Sequence, residues 1–369
     1  MRALYRIYLY VVVLFLLFFA AVATAVFLGT VFSATPLNGE SQRTLTQAEV
    51  VRPAVFAVLA WLITAVLGGL HYWLIRRDQV ADAQAGAGAV RALFLNLAEF
   101  AAALTALIAG TIALSTIGRP FGGGLAPAYA TALVFLGLFA LLEAERRRAQ
   151  AGPGAALVLQ RIHFYGMQLV TLLFFVIGQV TSALHQTLLQ ILLQTGLLTC
   201  APGGGIGFPS PAGAPSCVVD AIGVVDGSIL AGAWAAAAFA VVAWIGYGLL
   251  AQRDMRSTLR QVVHFAGYAA GVIALLFGIE RAAELLLRAA FGIAPSVLDF
   301  AGRYEFLSPA LFGSGLALVY ALWLAREAGR GPLDAHTMGL SVLAVTAGLL
   351  AVPFWVGCGM VLYRLIELV

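Results

Sequence analysis

Glu99 sits in "LNLAEFAAAL" as the deepest isolated acid of a long apolar run, with Asn96 three residues before it on the same helical face. A carboxyl in hydrocarbon either finds a partner or keeps its proton. Such a group can relay protons or hold a cation. It can equally be a neutral, hydrogen-bonded packing residue.

The histidines offer a second chemistry. The chain has five, and three of them open a His-x-x-Gly pattern: His163 in "HFYG", His264 in "HFAG" and His336 in "HTMG". His71, in "HYWLIRRD", falls at a similar level if these segments are membrane helices. Imidazole is the commonest metal ligand and an axial ligand of haem. His71, His163, His264 and His336 are therefore candidates for haem or a transition metal, the one cofactor the sequence suggests. The plainer reading is an interfacial anchor. In that reading histidine shares a slot with tyrosine, and the glycine lets helices approach closely.

A third polar layer lies farther along. Gln179, Ser182, Gln186, Gln190 and Gln194 share one helical face. Glu280, Glu284 and Arg288 recur at every fourth residue, with Glu284 and Arg288 in the order that favours an ion pair. Gln179 follows His163, and Glu280 follows His264, by the same interval, which sets both stripes at one depth. The layer would suit an anion, a sugar headgroup or a cation. It would also suit an ion-paired helix end at the membrane surface.

The elements that carry these residues are fixed by composition. Of 369 residues, 62% are hydrophobic and 10% charged, and mean hydropathy is +0.97. Water-soluble domains keep roughly a quarter of their residues charged. The apolar runs are continuous and not alternating, which excludes a membrane barrel. The fold class is all-α integral membrane. Nine spans are expected, near 8–31, 52–75, 92–116, 126–147, 162–188, 229–252, 262–288, 306–326 and 338–362. The first apolar run exceeds the core of about 7–15 residues typical of a cleaved signal, so it reads as a retained helix.

All 21 basic residues are arginine. Most fall near alternate ends of the spans, from Arg2 and Arg6 to Arg326 and Arg330, while the opposite loops hold Arg43, Arg52, Arg119 and Arg303. This asymmetry puts the N-terminus in the cytoplasm and the C-terminus outside a bacterial inner membrane. Cys200 and Cys217 share the long outer loop. They can form a disulfide there or stay as two thiols. The partners implied are the lipid bilayer and other membrane subunits. No basic run suits nucleic acid, and no phosphate loop, dinucleotide fingerprint or nucleophile elbow marks an enzyme.

The spans also repeat. "RIYLY" (6–10) aligns without gaps on "RIHFY" (161–165), so Tyr8 corresponds to His163. Returning segments end alike in "HYWLIRRD", "YGLLAQRD" and "YALWLARE". The unit is a two-helix hairpin with an arginine at its start and an Arg-acid close. The chain divides into hairpins 1–78, 90–148, 160–254 (with the outer loop 199–228) and 258–327, then a single helix 335–369, all packed as one membrane domain. Like-oriented hairpins place any pseudo-symmetry axis along the membrane normal.

The "RIYLY" and "RIHFY" starts, with "LHYW" (70–73) before a basic end, resemble an uncharacterised bacterial domain-of-unknown-function family. Its multi-pass members are built from repeated transmembrane hairpins. Here Tyr72 separates His71 from Trp73, where the family pattern joins them. The resemblance implies architecture and no activity. Three functions stay open: a structural, sensory or interaction role; movement of an ion or small solute through Glu99 and the outer polar layer; and a haem- or metal-binding redox subunit.

Overall fold

The computed structural model describes residues 2–82, 87–117, 125–148, 154–194, 227–251, 258–290 and 307–327, together with Val342 and Thr346. About 94% of it is helix, and the described residues contain no strand. Among the described residues, eight helices are long and apolar enough to cross a membrane. Helices satisfy every backbone polar group within one segment, which lipid cannot do for them.

We number them α1 (Arg2–Phe32), α2 (Gln47–Ala81), α3 (Ala89–Ser115), α4 (Ala126–Arg148), α5 (155–194), α6 (Gly227–Ala251), α7 (Thr258–Ala290) and α8 (Leu307–Glu327). α1, α2, α5 and α7 run several residues past the expected spans, whereas α4, α6 and α8 match theirs to within two residues. Arg, Gln, Glu and Ala are good helix formers, so the coil continues into the polar flanks. Of the ninth expected span, only Val342 and Thr346 are described. Both are helical, and the Thr346 hydroxyl bonds the Val342 carbonyl and the Tyr268 hydroxyl.

α2 starts on a capping box that the apolar pattern did not announce. Thr46 accepts from the Glu49 N–H, and the Glu49 carboxylate accepts from the Thr46 N–H at 2.9 Å. α2 and α5 each contain a π-helical turn, Thr64–Gly68 and Thr171–Val176. The first turn ends three residues before His71, and the second begins eight residues after His163.

The chain forms two compact units. The first comprises Met1–Gln168 and Ala238–Ala251, the second Leu169–Ala237 and Gln252–Val369. In the first, alanines drive close packing. Ala98, Ala102 and Ala106 of α3 repeat every fourth residue and bury against Phe135, Leu138 and Leu142 of α4 and Ala21 of α1. α1 and α2 meet through Ala23, Ala57 and Ala60. Two polar ties reinforce the contact: Thr64 Oγ1 donates to the Leu16 carbonyl, and the Trp61 indole donates to Thr24 Oγ1, both at 2.9 Å.

The second unit uses the same means. Ala183 of α5 packs on Ala233 and Ala237 of α6, and the Trp234 indole donates to Thr187 Oγ1 at 3.0 Å. α7 and α8 touch backbone to backbone. A Cβ on Gly313 would lie 2.3 Å from the Leu275 nitrogen, and one on Gly271 2.5 Å from the Ala317 nitrogen. One turn along, a Cβ on Gly267 would strike the Tyr320 ring. Here the glycine of "HFAG" is required by an aromatic ring laid on the helix. The glycine of "HFYG" has no such neighbour, since Gly166 faces open space.

Candidate buried charge cluster

Glu99 is fully buried in the first unit, at 0% exposure. It lies nearly three helical turns into α3, where the alanine face admits α4 closely enough for the Arg146 side chain to reach it. Arg146 Nε is 3.2 Å from Glu99 Oε2. The same nitrogen donates to Glu143 Oε2 at 2.8 Å, and Arg146 Nη2 donates to that oxygen as well. The second Glu143 oxygen accepts from Arg147 Nε at 2.5 Å. One guanidinium is thus divided between two acids, and Glu143 has much the better share.

From α5, His163 brings Nε2 to 3.7 Å from Glu99 Oε1. Rings surround the imidazole: Phe164 at 5.5 Å, Tyr247 of α6 at 5.8 Å and Phe100 at 6.5 Å between centroids. Arg146 also lies over the Phe164 ring at 4.5 Å. Both Glu99 oxygens, both His163 ring nitrogens and the Tyr247 hydroxyl are buried without a well-aligned hydrogen bond among the described residues. Glu99 thus meets Arg146 and His163 at 3.2 and 3.7 Å with no well-aligned hydrogen bond to either. Buried polar groups nearly always have such bonds, and exceptions call for an explanation. Here an acid, a base and a cation converge with spare bonding capacity, an arrangement suited to moving a proton.

Asn96 lies one turn before Glu99, buried. Its Nδ2 donates to the Ala92 carbonyl at 2.7 Å, and its Oδ1 has no partner among the described residues. Glu143, Arg146, Phe100 and Tyr247 complete the cluster without a signal in the sequence that ties them to Glu99. By itself "EAERRR" (143–148) is only a charged helix end, since nothing in one chain segment tells which helix folds against it.

Three of the described histidines, His71, His163 and His264, each face a tyrosine of the neighbouring helix. His71 Nε2 and the Tyr8 hydroxyl are 3.2 Å apart, and His71 Nδ1 bonds the Leu67 carbonyl at 2.7 Å. His163 meets Tyr247 and His264 meets Tyr320, each at 5.8 Å between ring centroids, with Trp323 5.4 Å from His264. Among the described residues no group of three or more His, Cys, Asp or Glu converges as a metal site. His336, Cys200 and Cys217 lie outside the described residues.

Of the outer layer, Gln179 and Gln186 are half-buried in α5, and Gln186 Oε1 is buried without a hydrogen bond among the described residues. Glu280 is exposed on α7. Glu284 and Arg288 belong to that helix, with side chains outside the described set.

A second set of ion pairs joins helix ends at the arginine-rich side of the first unit. Arg6 of α1 binds Asp78 at 2.6 Å and Asp82 at 2.7 Å, both from the end of α2. Arg91, at the start of α3, binds Glu145 at the end of α4 at 3.1 Å and also donates to its carbonyl at 2.9 Å. No protein-family model, curated protein or solved structure matches the chain.

Proposed function

We propose that this is a multi-pass protein of the bacterial inner membrane in which Glu99 is the ion-responsive group of an ion or small-solute pathway. The observation that carries the reading is the convergence on one fully buried carboxylate of a shared arginine and a histidine, none in a well-aligned hydrogen bond with it. A packing acid would hold closed hydrogen bonds, as Glu143 does.

The proposed architecture is four like-oriented hairpins and a ninth helix, N-terminus cytoplasmic. Two pairings support it. The arginine that opens a hairpin binds the acid that closes it, in Arg6–Asp78 and Arg91–Glu145. The Tyr/His slot of the opening helix faces the His/Tyr slot of the returning helix three times, in Tyr8–His71, His163–Tyr247 and His264–Tyr320. The same features support placing the chain beside the hairpin-repeat family it resembles.

The test is flux. Purified protein in liposomes is assayed for proton, sodium and potassium movement with fluorescent indicators, wild type against Glu99→Gln. The variant is expected to lose most of the flux while keeping its thermal midpoint. Equal flux in both proteins would overturn the reading and favour a structural or interaction role.

A further inference from the structure

We infer that the ion Glu99 answers to is the proton, that Arg146 keeps metal cations away from it, and that Arg146 passes to Glu143 when Glu99 is neutralised. This rests on Glu99 being the ion-responsive group and names which ion it takes.

Oxygen count is the first ground. Hard metal cations take about six to eight oxygen ligands. Among the described residues, the side-chain oxygens placed near Glu99 besides its own are those of Glu143, the Tyr247 hydroxyl and, one turn back on α3, Asn96 Oδ1, too few for such a shell. Both Glu143 oxygens are already held, one by Arg146 and one by Arg147. The remaining wall is Phe100, Phe164 and the His163 ring. A proton needs one oxygen, and Glu99 has two without hydrogen bonds.

Charge is the second ground. A metal ion on Glu99 Oε2 would sit beside a guanidinium nitrogen now 3.2 Å from that oxygen. The groups facing Glu99 are Glu143 and Arg146 of α4, with Arg147 at the surface, His163 of α5 and Tyr247 of α6. Arg146 is the buried fixed cation of this set, and its Nε lies 3.2 Å from Glu99 Oε2. A proton removes the carboxylate charge instead of adding a competing cation.

The third ground is that Arg146 has somewhere to go. Its Nε and Nη2 already donate to Glu143. When Glu99 accepts a proton, its pull on Arg146 falls, and the guanidinium settles on Glu143. The proton's nearest onward acceptor is His163 Nε2. The Glu99 O–H bond breaks, an N–H bond forms, and carboxylate and imidazolium result. At 3.7 Å the transfer needs a side-chain rotation or one bridging water.

Infrared difference spectroscopy on the full chain in lipid nanodiscs tests this. A pH step should produce a protonated-carboxyl band that disappears in Glu99→Gln. At constant pH, replacing choline by sodium, potassium or magnesium should leave that region unchanged in wild type. Glu143→Gln should shift the Glu99 band, because Arg146 then has one acid to serve. A Glu99-dependent response to any of the metal ions in wild type would overturn the inference, and so would an identical pH band in Glu99→Gln. A Glu99-dependent band together with unchanged flux in Glu99→Gln would leave this inference standing while removing the transport reading.

Discussion

Arg146 serves two acids, and removing it should cost more than its own contacts. Arg146→Leu leaves Glu99 buried without a cation and Glu143 with only the exposed Arg147. Breaking a buried pair from one side costs about 3–5 kcal/mol. The triple variant that adds Glu99→Gln and Glu143→Gln should recover most of this, since no uncompensated charge remains. Thermal unfolding in detergent measures both steps. A triple variant no more stable than Arg146→Leu would show that packing against Phe164 matters more than charge. At this scale the sequence was half legible. Glu99 stood out because a lone acid in an apolar run is costly wherever it lies. His163 stood out by its motif but was placed among other histidines, while in the fold it meets Glu99. Sequence spacing fixes which residues share a helix face; it does not say which face of another helix meets it.

At the scale of helices, α7 and α8 touch backbone to backbone, and small residues permit it. Gly313→Ala would set a methyl 2.3 Å from the Leu275 backbone nitrogen. Neither helix backbone can yield locally, so the pair must separate, at about 1–3 kcal/mol. Gly315, two residues on, faces open space, and Gly315→Ala should be neutral or gain up to about 1 kcal/mol from helix propensity. Comparing the two thermal midpoints separates packing from propensity, and equal shifts would refute the packing account. Helix positions were readable from apolar run length alone. The π turns of α2 and α5 were not, because "TAVLG" and "TLLFFV" carry nothing that distinguishes them from ordinary apolar helix. The pairing of Tyr8 with His71 was hidden in plain alignment. The repeat showed that both slots exist, and only the folded helices show that they face each other.

For the whole molecule, the arginine asymmetry sets an expected orientation that can be checked directly. Arg147 and Arg148 are largely exposed, at 70% and 66%, at the end where Arg6, Arg91 and their acids also gather. A green fluorescent protein fused after Arg148 should fluoresce, and alkaline phosphatase fused there should be inactive; the reverse pattern would invert the topology. The Arg6–Asp78 bond then has a bearing on how the chain is made. Its two ends are 72 residues apart, so they meet only after the ribosome has delivered both α1 and the whole of α2. The same holds for Arg91, which has no Glu145 to bind until the end of α4 has been made. Each of these ties can therefore close only after both helices it joins exist. The last acid of each helix pair, Asp78 and Glu145, is the residue whose synthesis makes the tie possible.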